Sequence, residues 1–426
     1  MFVHSIATAL LLLSTSAPAA SPDAAFVTWA RHRVVPMDSS GRAFRTLDAG
    51  IEGARLIGVG ESVHEVQPFL TFRFQLLQDL VQRHRVTALV LESGLPEAMT
   101  LDDYVRGRTA TIDFDAALPG GFGGLSEIRR AMEWLREWNL GPGQRRPVGV
   151  YGADLPARSG SMIPALDRLG ELTDGNPDVR TLIDSVRPLA LKVSGGWWKA
   201  AGQKYDALSD DEKTALASGV SRLGERVARL SEGEKDRLEW ARRVALVVRQ
   251  NEEMLRLGAF SPATPRDQAM ADNTLWVLGR LAAGERAVYW AHNAHVQKVP
   301  VKGPPLPPGS FRSAGMRFAA VLGTKYYAIA TAYGGPSMDK AAVAETGSVD
   351  AALEGLAAVP FLLRLDAAPR SSAVDAWLSE ERLMRFQVGY LMVPLGRAFD
   401  AVAYFDRAIP AARVPAKPEG AAQGAR

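Results

Sequence analysis

Six histidines are spread over 426 residues, and three of them stand at the ends of apolar, strand-like runs. His64 lies near the end of ARLIGVGESVHE (54–65), three residues after Glu61. His292 and His295 lie at the end of RAVYWAHNAHV (286–296). A histidine that takes a proton needs a partner to fix its tautomer, and a carboxylate serves. Glu61 is one candidate: if it opens a helix, it and His64 share a face. Glu92, just after the apolar run 87–91, is the other. His292 and His295 bracket Asn293 and Ala294, so one imidazole can bind substrate or donate to a developing oxyanion while the other shapes the loop. Arg73 follows His64 by nine residues, and Arg266 opens the segment RDQAMADN (266–273). Either arginine alone would read as surface charge.

Placing these groups together requires a particular architecture. Short apolar runs at 55–59, 87–91, 147–151, 287–291, 326–332 and 401–405 read as buried strands. Amphipathic helical patterns at 69–84 and 126–139 separate the early ones. Such alternation predicts an α/β fold, a mostly parallel central sheet with flanking helices. Ligands in open parallel sheets bind beyond the carboxyl ends of the strands. Four strands deliver ionisable groups there: Glu61 with His64, then Glu92, then Asp154, then His292 with His295. Asp154 reads both as a turn or cap residue and as a member of this set.

Between 157 and 272 strand signals vanish and helical periodicity takes over, as at 210–230 and 232–257. This predicts a large helical insertion. Trp197, Trp198 and Trp240 within it read as helix packing, or as a lid offering aromatic surface to an apolar substrate. The expected organisation is a signal peptide at 1–19, the core in two parts at 24–156 and 273–407 around the insertion at 157–272, and a disordered tail at 408–426. VKGPPLPPGS (301–310) reads as a rigid loop after the histidine pair.

Several chemistries lack their motifs. No Gly-x-Ser-x-Gly elbow occurs, and no phosphate-binding loop ending in Gly-Lys-Ser/Thr. Val63 replaces the last glycine of a dinucleotide fingerprint, and Pro68 stands where a zincin string needs its second histidine. With no cysteine there are no disulfides and no thiolate chemistry. What remains is direct activation of water by an imidazole. A metal-dependent hydrolase holding Zn²⁺ or Mn²⁺ through Glu61, His64, Glu92, His292 and His295 is the alternative.

The ordered set GESVHE (60–65), Arg73, LVLES (89–93), YGADL (151–155), RDQAMADN (266–273), WAHNAHV (290–296) and FDAVAYF (399–405) resembles the erythromycin esterase family over about 48–405. The resemblance implies an α/β core with a helical insertion and hydrolysis of an ester, in the named members a macrolide lactone. It implies His64 as general base, with Glu61 and Glu92 around it and no serine nucleophile or cofactor. It implies substrate binding or oxyanion stabilisation by His292, His295, Arg73 and Arg266; Asp154, from its place after a strand, is a further substrate-binding candidate. The family often has glycine where this chain has Glu65. Some members are named for polysaccharide biosynthesis, so a non-catalytic binding protein of the envelope is a further alternative.

The N-terminal run IATALLLL (6–13), followed by Ala17-Pro18-Ala19, reads as a secretory signal, too short to span a bilayer. A periplasmic or secreted protein is expected, free of the membrane once cleaved, and antibiotic resistance is conceivable from that position. Net charge is only +3 and no long basic run occurs, so no nucleic-acid partner is expected. The expected partner is a small-molecule ester or lactone. Nothing in the sequence specifies an oligomeric state.

Overall fold

The six apolar runs become strands because both faces of each are covered. In the computed structural model, every residue of Leu56–Glu61 is buried, as is every residue of Tyr326–Tyr333 and Ala401–Phe405. Such strands carry continuous apolar runs rather than alternation. The structure describes residues 22–415 apart from 157–160, 197, 259–260, 262, 304–310, 336–343 and 388. Its strands are β1 (Val35–Pro36), β2 (Leu56–Glu61), β3 (Val86–Gly94), β4 (Gly149–Asp154), β5 (Arg286–His292), β6 (Tyr326–Tyr333), β7 (Phe361–Arg364), β8 (Glu381–Phe386), β9 (Gly389–Pro394) and β10 (Ala401–Phe405). Eight of them form one sheet in the order β1-β7-β10-β6-β2-β5-β3-β4. From β10 to β4 all neighbours are parallel, while β7 and β1 join antiparallel at one edge. The chain is thus an α/β protein with a mostly parallel sheet. A separate hairpin, β8–β9, completes the strands among the described residues.

Successive side chains of each strand point to opposite faces. Ile57 and Val59 of β2 pack with Phe69, Leu77 and Leu135 from the helices Gln67–Arg83 and Ser126–Leu140. Leu56, with Tyr289 and Ala291 of β5, packs on the other side with Met270 and Phe318 from Arg266–Arg280 and Ala314–Leu322. Pro68 in the first turn of Gln67–Arg83 suits a position where no intrahelical N–H donor is required.

The stretch between β4 and β5 carries its own apolar core, built on the helices Ile163–Leu172, Pro177–Lys192, Trp198–Asp206, Asp210–Ala228 and Lys235–Leu257. Ser209 starts one of them with a capping box closed by Glu212. The bundle touches the core through Leu95, Leu155 and Ala269. The boundary expected at 272 falls inside one continuous helix, Arg266–Arg280, whose residues face the sheet core as well as the bundle.

The tail departs from expectation. Residues 408–415 are ordered: Pro410 bridges Val66 and Arg413 bridges Leu125. Backbone pairing with the turn before Gln67–Arg83 offsets a composition poor in large apolar side chains. The rest of the tail, the signal segment, Trp197 and most of the proline-rich loop lie outside the described residues. No helix among the described residues is long and apolar enough to cross a membrane.

Candidate active site

Strand register sets the frame. Glu61 at the end of β2 pairs directly with His292 at the end of β5, and Leu91 of β3 pairs with Trp290. Three strand ends therefore reach the same level with ionisable residues. Gly60 is required here: a Cβ on it would stand 2.1 Å from Asn293 Oδ1. Asn293 in turn ties β6 to this edge, its Nδ2 donating to Thr331 O at 2.9 Å.

Glu61 ends a strand rather than opening a helix, yet it meets His64 through the turn that follows. His64 Nδ1 lies 2.6 Å from Glu61 Oε1. The other carboxylate oxygen lies 3.0 Å from Arg73 Nη1. Burial favours the neutral acid, but Arg73 and His64 outweigh it and hold Glu61 below the usual carboxylate range. An anionic Glu61 accepts from Nδ1–H, which leaves the Nε2 lone pair of His64 available. Nε2 has no hydrogen-bond partner among the described residues. The ring is partly exposed and packs edge-on against Phe122 and His292, with centroids 5.5 and 5.2 Å away.

The turn that carries His64 is held from several directions. Ser62 N–H donates to Thr331 Oγ1 at 3.0 Å. Ser62 O accepts from His292 Nε2 at 2.8 Å and from Gln387 N–H of the β8–β9 turn at 2.9 Å. Glu65 adopts a left-handed φ of 62°, which explains why glycine suits this position. Its carbonyl accepts from Ala411 N–H, and its carboxylate pairs with Arg413 at 2.6 Å. The extra acid is thus bound by the returning C-terminal segment.

Glu92 links the two halves of the site. Its Oε2 accepts from His292 N–H at 2.7 Å, and Oε1 accepts from Arg266 Nη2 at 2.9 Å. Burial opposes its charge, but His295, His64 and Arg266 together hold it well below the carboxylate range. His292 is fully committed: Nδ1 accepts from Ala294 N–H at 3.1 Å while Nε2 donates to Ser62 O. Burial and the neighbouring His64 push its pKa well down, so it is neutral. His295 is the opposite case. Burial disfavours its charge, but Asp267, 2.8 Å from Nδ1, and Glu92 push it up to about 10. Its Nε2 lies 3.4 Å from Glu92 Oε1 and 3.0 Å from Arg266 Nη1.

The structure brings Glu61, His64, Glu92, His292 and His295 into one cluster. The substrate contact expected of Asp154 is not what the geometry offers, whereas Arg73 lines the same cavity as His64 with its guanidinium already engaged. Arg73 is buried, and Nη2 donates to Val59 O at 2.9 Å and also to Ala291 O. Asp154 is buried with its carboxylate occupied by Arg266, through Nε at 3.0 Å and Nη2 at 2.6 Å. Burial raises its pKa and Arg266 pulls it back. Arg266 is covered on one face by Trp198, whose ring lies 4.0 Å from Cζ. Trp240 instead packs on Tyr151 and Trp276. Asp267 emerges as a site residue in its own right; its only sequence signal is its place beside Arg266. Among the described residues, no group of three or more His, Cys, Asp or Glu is arranged to hold a metal ion. Glu61, His64, Arg73, Glu92 and Ser93 form the polar side of a cavity of about 50 Å³ whose remaining wall is mostly apolar.

Comparison with known proteins gives a consistent result. The family model described as erythromycin esterase matches residues 81–408. Erythromycin esterase type II of Escherichia coli is 22% identical over 415 residues, covering 88% of this chain and 96% of its own. Type I from the same organism is 24% identical over 301 residues, covering 65% and 70%. A Bacillus cereus protein of known structure superposes with a TM-score of 0.76 at 20% identity, over 91% of this chain and 98% of its own. An erythromycin esterase mutant in its open conformation superposes at 0.73 and 22% identity, over 87% and 95%. These structures share the fold.

Proposed function

Because the chain belongs to the erythromycin esterase family, we propose that it is a hydrolase that cleaves a carboxylic ester or lactone with water activated by His64 and no serine nucleophile. The observation that carries this reading is the 2.6 Å contact between His64 Nδ1 and an anionic Glu61, which presents Nε2 unpaired at the cavity wall. His64 Nε2 removes a proton from water as the oxygen attacks the acyl carbon. The imidazolium that forms is stabilised by Glu61 and Glu92. The carbonyl electrons move onto oxygen, and the electrophilic side of the site, His295 with Arg266, supports that charge. Collapse breaks the acyl–oxygen bond, and the proton on His64 passes to the departing alkoxide. The products are an acid and an alcohol.

In this scheme Asp154, Asp267 and His292 position the acting groups without touching substrate, and Arg73, at the cavity wall, keeps Glu61 charged. The reading calls for no cofactor. The donor set does not suit Zn²⁺ or Mn²⁺: both nitrogens of His292 are engaged, and the guanidinium of Arg266 stands against His295 and Glu92. The test is a panel of esters and lactones assayed on wild type and His64→Ala, with and without chelator. Loss of turnover by about 10²–10⁴-fold in the variant is expected, with no effect of chelator. Undiminished turnover by His64→Ala would remove the base assignment, and chelator-sensitive activity restored by a divalent ion would replace it with a metal mechanism. The named relatives act on erythromycin; at 22% and 24% identity that substrate is not transferred to this chain.

A further inference from the structure

The cavity beside His64 is small and has a definite chemical character. Its volume of about 50 Å³ is bounded on one side by Glu61, His64, Arg73 and Glu92. Leu70, Leu91, Leu118, Pro119 and Ile128 line the apolar side. Those apolar side chains come from the helices on one face of the sheet, from β3 and from the segment before Phe122–Gly124, and most are part of the main core. The wall is therefore rigid, unlike a surface groove. A group the size of water needs about 10–15 Å³ of such volume, so the space admits roughly three to five heavy atoms.

We propose that this cavity is a specificity pocket for one short, uncharged aliphatic substituent flanking the scissile ester bond, with Ile128 and Leu118 setting its depth. The proposal rests on the hydrolase reading given above. Two observations support it together. The pocket shares its polar side with the proposed base, so a group seated in it lies next to the reacting carbonyl. The charges on that side, Glu61, Arg73 and Glu92, are already paired, so a charged substituent would lose its hydration there and find no free counter-ion. An aliphatic group of the stated size satisfies both conditions, and it can be contributed by the acyl or the alcohol side of the ester.

The experiment measures kcat/KM for p-nitrophenyl acetate, butanoate, hexanoate and octanoate, and for a parallel series of acetate esters of lengthening primary alcohols. An optimum at the short end of one series is expected, with at least about a tenfold fall by octanoate or octyl acetate. The series that shows the optimum identifies which side of the ester enters. A monosuccinate ester should be poorer than the butanoate by a similar factor. Ile128→Ala should move the optimum to longer chains, and Ile128→Phe should move it to the acetate. Using both enlarging and filling variants, each checked for folding by circular dichroism, guards against a variant that fails to fold. Turnover with a flat length profile that neither variant changes would overturn the pocket while leaving the hydrolase intact. Should no ester turn over, saturation-transfer NMR on wild type with butanamide and octanamide decides separately. Binding of the short amide that Ile128→Phe abolishes would keep the pocket and discard the hydrolase; no binding would discard both.

Discussion

Replacing Arg73 with methionine would leave Glu61 charged, buried and without its main counter-ion. Both side chains are almost fully enclosed, at 5% and 2% exposure, and the pair stands at 3.0 Å. Removing one partner of a buried pair typically destabilises by about 3–5 kcal/mol, because the other charge remains desolvated. Arg73 also donates to the carbonyls of Val59 and Ala291, on neighbouring strands β2 and β5, so two acceptors lose a charged donor as well. Methionine fills much of the space but supplies no donor. We therefore expect a loss at the upper part of that range, about 4–5 kcal/mol near neutral pH, a large share of a typical domain stability of ~5–15 kcal/mol. The pH dependence has a definite sign. In the wild type Glu61 is held below its ordinary 4.5, so its contribution is present above that value and is lost as pH falls through the folded pKa. In Arg73→Met burial dominates and raises the folded pKa, so the penalty is greatest at neutral pH and shrinks as the pH is lowered. Denaturant unfolding near neutral pH and at about pH 5 measures both effects. Adding Glu61→Gln to Arg73→Met should recover at least about 1.5 kcal/mol, since the stranded charge is gone. A loss under about 1 kcal/mol in the single variant, or no recovery in the double, would refute the reasoning.

Glu61→Gln on its own should lower kcat by about 10²–10⁴-fold with little change in KM, because an amide can donate to Nδ1 of His64 and place the proton on the wrong nitrogen; steady-state kinetics with any accepted ester reads this, and a fall below about fivefold would show that the tautomer is set elsewhere. Asp267→Asn should return His295 from about 10 toward its ordinary 6.5, followed by histidine NMR. The elevated value means His295 contributes stability that is complete below 6.5 and is lost as pH rises toward 10, so the variant's stability should vary less over that interval. A wild-type His295 that titrates near neutrality would contradict the assignment. The N-terminal segment should be removed on export, and intact mass of the secreted protein should place the new terminus near Ala20; an uncleaved product would sink the signal-peptide reading.

The six central strands were legible in the sequence because a strand buried on both faces is written as an unbroken apolar run. β1 and β7 were not: two and four residues are too few to carry a pattern, and their place comes from antiparallel pairing with β10 and each other. The β8–β9 hairpin escaped for a different reason, since ERLMRF and GYLMVP alternate poorly and are only partly buried. At the site, Glu61, His64, Glu92, His292 and His295 were legible because each closes or follows an apolar strand run. What each does was not. His292 and His295 look alike in WAHNAHV, yet one is neutral with both nitrogens bonded and the other is charged between carboxylates. That difference depends on Asp267, 28 residues away, and on the carbonyl of Ser62, 230 residues away. Backbone acceptors leave no mark in a side-chain pattern. The same holds for Asp154, whose type suggested contact with substrate and whose burial directs it inward onto Arg266.

The segment after β10 makes the turn that carries His64 answer to residues remote in sequence. Arg413 grips Glu65 across 348 residues of sequence, and Ala412 N–H reaches Gln67 Oε1 across 345. Both contacts come from residues that follow β10 and belong to no strand of the sheet. β3 and β4 pair with each other, and β2 with β5 and β6, without them. The sheet can therefore keep its pairing while the turn that holds His64 loses its brace, so a cut just after β10 would separate the integrity of the fold from that of the proposed reaction centre.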